Sequence, residues 1–523
     1  MDGPVNNGRK KKGIPKKLIA ILAAALIIIG GSVAAYAMLT GSAKAQYFLA
    51  EKNTIEFIGD KFEERFQPEF DWAEQASKNA TETSYELSAA YNGPVAAGIG
   101  VPPQLINNST IELTTQMNQK KAQMMTDVNV NFGGVEINDI HVFLNENDLL
   151  LKLPFLQETL KITDKDLSKL LKESNPAITG ELDFNTVFKS LDGSLSEEDH
   201  AYIYAEYLTF IYEQLPKDAF KTKDETVKVQ DKSVDAKKIT MKLSEKQVKN
   251  ILRSVLEKMK KDDRLKALVR KQLEIQQLGT LSATSGSGQM QNNIQTALEN
   301  YDKALDKIMN GLKNFQIPDG LTSEIWVHDD LIVKRNMKIS IAPKGEKPST
   351  LTVNGTQLLS DTSQKVKYKL AVDQQSFTVT ANLSNQDNKL KDSISFSDGK
   401  TDITYNGSSS LKDGTREFER SFSVEGAGTF IWTGEADYNN DRMSSENNIT
   451  METPDLQQDM IDLQIDKEAK TIKKVDQPGN SNLKNIGDMS PIEMQQYMEQ
   501  EIRPQFQQWF MSIMGFPGGM NGF

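Results

Sequence analysis

The sequence predicts an α+β protein in which an N-terminal transmembrane helix is followed by long antiparallel β-meanders covered by helices. Three patterns predict it. A basic cluster, Arg9, Lys10, Lys11, Lys12, Lys16 and Lys17, precedes 23 uncharged, mostly apolar residues from Leu18 to Thr40. Beyond residue 80, apolar and polar residues alternate in run after run between turn-forming dipeptides, the period of strands with one buried face. Between two such strand-rich stretches lie segments of helical period that open on capping residues.

The N-terminal segment is read first because it sets the compartment. At a helical rise of about 1.5 Å per residue the stretch reaches roughly 34 Å, enough to cross a hydrocarbon core. Basic residues are retained on the cytoplasmic side, so the chain is expected at the cell membrane, single-pass, with its bulk extracytoplasmic. A secretory signal is the alternative, with Leu18 to Ile29 as its apolar core and Ala35-Tyr36-Ala37 or Ala43-Lys44-Ala45 as its cleavage site, which makes the protein secreted. The expected organisation is a basic cytoplasmic segment (1–17), a transmembrane helix (18–40), a stalk helix (41–80), a first antiparallel sheet with a helical part (81–320), a second antiparallel sheet (321–455), and a C-terminal linker, helix and Gly/Met-rich tail (456–523).

In the stalk, Leu49, Ile55, Ile58, Phe62 and Phe66 fall at helical spacing, and Pro68 ends the pattern. Alternation then begins at Tyr85 to Ala89 and continues through Ile111 to Leu113, Asp127 to Phe132, Val135 to Leu144 and Asp148 to Leu153, with Gly133-Gly134 and Asn145-Glu146-Asn147 as turns. Helices are expected over Asp164 to Glu173 and Ser196 to Leu215, the latter opening on a capping-box spacing. A strand pair, Thr226 to Val229 and Ala236 to Leu243, leads into a helix capped by Ser244 with Gln247 three residues on. Helix resumes from Asp262 to about Leu278. Gly279 to Gln289, rich in Ser, Thr and Gly, reads as a connector before a helix from Met290 to Phe315. From Glu324 to Glu452 almost everything alternates, punctuated by Asp398-Gly399, Asn406-Gly407, Asp413-Gly414 and Gly426. The two strand regions suggest one long curved sheet or a degenerate duplication. Ser490, Pro491 and Glu493 announce a last helix, which presents Phe506, Trp509, Phe510 and Ile513 on one face.

Composition removes whole classes of chemistry. The chain has no cysteine, which excludes disulfides, thiol nucleophiles and thiolate metal sites. Its formal net charge is −11, and with the basic N-terminus set aside 55 basic residues face 71 acidic ones. Such a body is repelled by nucleic acid and anionic headgroups unless it gathers a local basic patch, and the linear sequence shows none after Lys17. No nucleic-acid partner is expected. The three histidines, His141, His200 and His328, have no metal-ligand spacing. Asp437 to Asp441 imitates a calcium loop, but Arg442 stands where Gly is needed and Asn448 where a bidentate Glu is needed, so it reads as a hairpin tip. Ser409 to Lys412 and Ser481 to Lys484 match Ser-x-x-Lys without a second β-lactamase-type motif. Neither an enzymatic activity nor a cofactor is expected.

Two sets of rings remain as candidates for ligand or partner contact. Trp326, Phe377, Phe396, Phe430 and Trp432 lie on alternating strands and would line a cavity in a hydrophobic-ligand carrier. Phe506, Trp509 and Phe510 make an uncharged face suited to the protein's own body, to another protein or to a membrane.

The basic cluster, the apolar stretch and the juxtamembrane residues Gln46-Tyr47-Phe48-Leu49-Ala50-Glu51-Lys52 and Phe62-Glu63-Glu64-Arg65-Phe66 resemble a group of uncharacterised single-pass exported proteins of Gram-positive bacteria. That resemblance implies anchoring and export, and no activity. In architecture, long antiparallel strands with covering helices are similar to LolA/LppX-like half-barrel proteins, which implies shelter for an acyl chain. The leading expectation is a membrane-anchored, non-enzymatic envelope or surface interaction module. The second is an extracytoplasmic carrier of a lipid or other hydrophobic ligand.

Overall fold

Strands made of alternating apolar and polar residues have one apolar face, and in this protein they join into one sheet that carries its main core on that face. Near its ends the sheet buries both faces, and there the neighbours Ile325 and Trp326, and Phe143 and Leu144, are all buried. The computed structural model describes residues 41–93, 102–174, 184–185, 188, 197–281, 292–454, 457, 460–478 and 482–513. The first strand group is Ala80–Tyr91 (β1), Thr110–Asn118 (β2), Gln123–Phe132 (β3), Val135–Leu144 (β4), Asp148–Lys152 (β5) and Thr159–Thr163 (β6). A hairpin follows, Phe220–Val229 (β7) and Lys232–Leu243 (β8), and then the short Phe315–Gln316 (β9). The long series is Leu321–His328 (β10), Leu331–Pro343 (β11), Ser349–Ser360 (β12), Ser363–Val372 (β13), Gln375–Gln386 (β14), Lys389–Ser397 (β15), Asp402–Lys412 (β16), Thr415–Val424 (β17), Gly428–Tyr438 (β18) and Arg442–Glu452 (β19). Ile461–Ile472 (β20) and Leu483–Asn485 (β21) complete the strands.

Two pairings join the strand regions. β8 pairs antiparallel with β10, and β20 lies between β19 and β1. The spatial order therefore runs β7, β8, β10 through β19, β20, β1, β2 through β6, with β21 added parallel to β6 and β9 paired to the end of β11. The sheet is open rather than closed.

A pair of helices crosses the apolar face. Ala43–Arg65 (α1) and Gln67–Lys78 (α2) are 23 and 12 residues long, together roughly 53 Å at 1.5 Å per residue, and eleven steps of about 4.8 Å from β10 to β1 span the same length. α1 begins on β7, β8 and β11, and α2 ends over β18 and β1. The break between them is chemical. Pro68 has no N–H to continue the ladder and sits in the first turn of α2, while Phe66 leaves helical geometry at φ −121°.

The ends of the sheet are filled. Tyr47, Phe48 and Ala50 of α1 pack with Phe220, Ile239, Met241, Leu243, Leu321, Ile325, Ile332 and Ile339, and helical residues Leu208, Ile211, Tyr212, Val248 and Ile251 close the cluster. At the other end Ala122, Leu144, Phe184 and Phe188 form a smaller core with Met124, Leu149 and Leu167.

Several expectations are corrected. The chain is mostly one large sheet, 49% strand, so the α+β half-barrel reading gives way to a single open sheet with helices laid on it, and of the two arrangements left open for the strand regions the single sheet is the one found. No helix among the described residues is long and apolar enough to cross a membrane, and the expected transmembrane segment 18–40, with its basic residues, lies outside the described residues. The stalk is two helices. Its buried residues are Lys44, Ala45, Tyr47, Phe48, Ala50, Glu51, Thr54 and Arg65, whereas Ile55, Ile58 and Phe62 are exposed, because the helix meets a sheet carrying charged partners as well as apolar ones. β20 falls where a linker was expected. The helix expected to end at about Leu278 runs to Leu281, into the expected connector, and residues 282–291 lie outside the described residues.

Candidate functional site

Between the covered ends, the sheet and the two helices enclose an open groove of about 720 Å³. Phe62, Phe66 and Phe70 stand four residues apart, so they share one helical face across the break and form one wall, with ring centroids 5.1 Å (Phe62 to Phe66) and 5.9 Å (Phe62 to Phe70) apart. The floor and far wall come from the apolar phase of six strands: Tyr405, Phe418, Trp432, Ile449, Ile465 and Tyr85. Trp432 meets Phe418 edge to face at 5.2 Å and donates its Nε1–H to Asn447 Oδ1 at 3.0 Å, which fixes the indole against the floor. A missing side chain makes room. A Cβ on Gly434 would stand 2.8 Å from the Phe418 ring and 2.4 Å from the Glu446 carbonyl oxygen, so only glycine lets that ring lie across β18.

Along the same strand faces, away from the helices, apolar side chains stay open to solvent. Ile403, Phe422, Val424, Phe430 and Met451 are exposed, and register places Tyr405 opposite Phe422, Phe422 opposite Phe430, and Phe430 opposite Met451. Phe377 and Phe396 stack at 6.0 Å on the adjoining strands. The groove thus opens onto a continuous apolar band.

Charges on the apolar face hold the helices in place. Glu51 pairs with Arg335, Arg65 with Asp392, and Arg416 Nε lies 2.6 Å from Glu69 Oε1 while its Nη2 donates to the Arg65 carbonyl at 2.9 Å. Arg416 is almost wholly buried. Burial pushes the Asp392 carboxyl above its ordinary range, against the pull of Arg65 and Arg420. Burial likewise raises the Tyr47 phenol, helped by Glu51, and Tyr47 meets Ser323 Oγ at 2.7 Å.

Two cations in the groove are left over. Arg420 lies over the rings of Phe418 and Trp432 at 4.5 and 4.6 Å, and Lys467 stands 5.7 Å from the centre of Tyr85. Among the described residues neither makes an ion pair or a hydrogen bond, whereas Glu69, the carboxylate lining the groove, is taken by Arg416. Burial lowers the Lys467 ammonium from its ordinary value. No cluster of metal-binding side chains occurs among the described residues.

The sequence-predicted rings separate into four places. Trp432 lines the groove, and Phe430, Phe377 and Phe396 belong to the open band. Trp326 is buried on the opposite face, donating to Glu225 at 2.6 Å beneath Lys238 and Lys334, so it is core rather than lining. Phe506 and Trp509 dock on Phe155 at 5.4 and 5.6 Å, far from the groove residues in the sheet order, and Phe510 is exposed. Phe62, Phe66, Phe70, Tyr85, Tyr405, Arg420 and Lys467 escaped the sequence reading as site residues. Their trace was there: aromatics at i, i+4 and i+8, and charges in phase with apolar neighbours, as in Phe418, Arg420, Phe422 and in Leu463, Ile465, Lys467.

The fold and site together define an open antiparallel sheet bearing a helix-walled, aromatic groove. No family model matches the chain, and no curated protein does. Among solved structures it is similar at 6% identity to one described as "Asymmetric conductivity of engineered proteins" (75% of this chain, 99% of that one, TM-score 0.22). It is also similar at 7% identity to a loop-deletion mutant of OmpT, an outer membrane protein of Vibrio cholerae (75% and 98%, TM-score 0.15), and at 6% to OpdQ of Pseudomonas aeruginosa (75% and 96%, TM-score 0.15). Overlap this low carries no argument about function.

Proposed function

We propose that this protein is a non-enzymatic binding or carrier protein that shelters the apolar chain of a lipid or similar hydrophobic ligand. The groove carries the reading. Its volume falls within the roughly 300 to 1,000 Å³ of small-molecule sites, and its walls are rings with few polar groups. The reading displaces the expectation of a surface interaction module, because a concave aromatic groove suits a chain better than it suits a protein surface. The uncharged apolar stretch behind a basic cluster at the start of the sequence supports an extracytoplasmic setting.

Photo-crosslinking of the full chain, reconstituted in phosphatidylcholine vesicles, tests it with a diazirine-bearing long-chain methyl ester. Labelled peptides are expected from 62–73 and from β17 to β20. Labelling confined to the helix around Phe506, or spread evenly over the surface, would rule the reading out.

A further inference from the structure

We infer that the ligand is an anionic amphiphile whose oxyanion head is held by Arg420, with Lys467 adding positive potential along the groove floor. The inference rests on the groove being a hydrophobic-ligand site, and it adds the chemistry of the head.

Charge accounting around the groove leads to it. In a chain of net charge −11, the basic and acidic groups beneath the helices pair off as Arg65 with Asp392 and Arg416 with Glu69. The groove lining then keeps Arg420 and Lys467 and no carboxylate free to answer them. The linear sequence hid this patch, since its members come from β17 and β20 and each is surrounded in sequence by acidic residues, Glu417 and Glu419 for one, Asp466 and Glu468 for the other, which the alternation sends to the opposite face.

Arg420 is the better placed of the two to bind a head. Stacking over Phe418 and Trp432 fixes the guanidinium plane while leaving its N–H donors unspent among the described residues, the state from which an arginine accepts a carboxylate or phosphate in two parallel hydrogen bonds. The same residue marks a boundary. Phe418 and Trp432 lie on the groove side, and Phe422 and Phe430 begin the open band beyond it. A head at Arg420 therefore leaves an apolar surface on either side for the chain. Low-dielectric walls strengthen the field of both cations, and burial has already made the Lys467 charge costly without an anion beside it.

The test compares a diazirine-bearing long-chain fatty acid with its methyl ester on the full chain in phosphatidylcholine vesicles. Wild type should label the groove peptides with the acid at about tenfold lower concentration than with the ester, the scale of a charge-assisted hydrogen bond. Arg420→Gln should bring the acid to the level of the ester, its loss of acid labelling exceeding by about tenfold any change in ester labelling. Lys467→Gln should weaken the acid less, and Arg420→Lys should recover part of the preference. Equal labelling by acid and ester in wild type, or a preference that survives Arg420→Gln, overturns the inference and leaves the carrier reading standing. An equal fall in ester labelling by Arg420→Gln also overturns it, because the arginine would then shape the wall only. Displacement of the acid by millimolar inorganic phosphate would assign the patch to a free anion instead. If neither probe labels the groove, the carrier reading itself fails.

Discussion

The two halves of the long helical strap rest on the same face of the same sheet, yet one half is core and the other is a groove wall. Over β7, β8, β10 and β11, α1 contributes Tyr47, Phe48 and Ala50 to a filled cluster. Over β14 to β18, the contacts change to Arg65 with Asp392 and Arg416 with Glu69 and the Arg65 carbonyl, while Phe62 and Phe70 remain exposed beside the groove. Apolar contacts draw a helix down until no space is left. Ion pairs through long side chains fix its height instead. The lesson is one of surroundings: Glu51 with Arg335 sits beside the filled cluster, whereas Arg65 with Asp392 and Arg416 with Glu69 stand where apolar contacts are few, and there the pairs keep a helix attached without filling the concavity.

The difference can be broken at the packed end first. Phe48→Ala removes a ring that is 1% exposed and should cost about 3 to 5 kcal/mol in denaturant unfolding, with a clear drop in melting temperature. A loss near zero would mean that this end is not packed as a core. Next comes the spaced half. Arg65→Ala strands the Asp392 carboxylate, with a loss of about 3 kcal/mol at neutral pH. Because burial already raises the folded-state value of Asp392 above its unfolded one, the native state binds the extra proton. The stability of Arg65→Ala should therefore be recovered as pH falls through that raised value and lost again as it rises, and adding Asp392→Asn should flatten the profile. A profile parallel to wild type would disprove the pairing.

In the groove the stability effects shrink and the binding effects grow. Trp432→Ala should cost only about 1 to 2 kcal/mol, below the range of a core ring, while removing most photo-labelling of β17 to β19. Smallest of all is Lys467→Met. With its folded-state value lowered by burial, the native state holds the proton less tightly than the unfolded chain, so charged Lys467 weakens the fold below its ordinary value and stability rises with pH toward it. The variant should melt slightly higher than wild type at neutral pH and bind a fatty acid less well, the trade expected where a site keeps an uncompensated charge. A lower melting temperature would contradict the burial of that amine.

Much of the sheet was legible in the sequence. Val135 to Leu144 is a strand over those very residues, the tip at Asp413-Gly414 falls between strands, and the caps at Ser244 and Ser490 form complete capping boxes. The tip expected over Asp437 to Asp441 narrows to Asn439 to Asp441, because Asp437 and Tyr438 still pair within β18. β20 also carries the local signal of a strand, since Ile461, Leu463 and Ile465 alternate with polar residues and Lys467 stands in the same phase. Pro68 misled by another route. A proline that ends one helix also suits the first turn of the next, and single-residue reasoning gives both outcomes.

By itself, the sequence determined most of the extended runs and hairpin tips and the apolar phase of those strands, because strand period and turn chemistry are local properties. Asn406-Gly407, a turn by its chemistry, is instead held extended inside β16 by pairing on both sides. Tertiary structure alone decided that β1 should lie against β20, and that Arg65 and Arg416 should find carboxylates while Arg420 and Lys467 find none among the described residues. Register and helix placement join residues hundreds of positions apart, and whether an inward-facing charge is a strut or a binding group depends on what stands across from it.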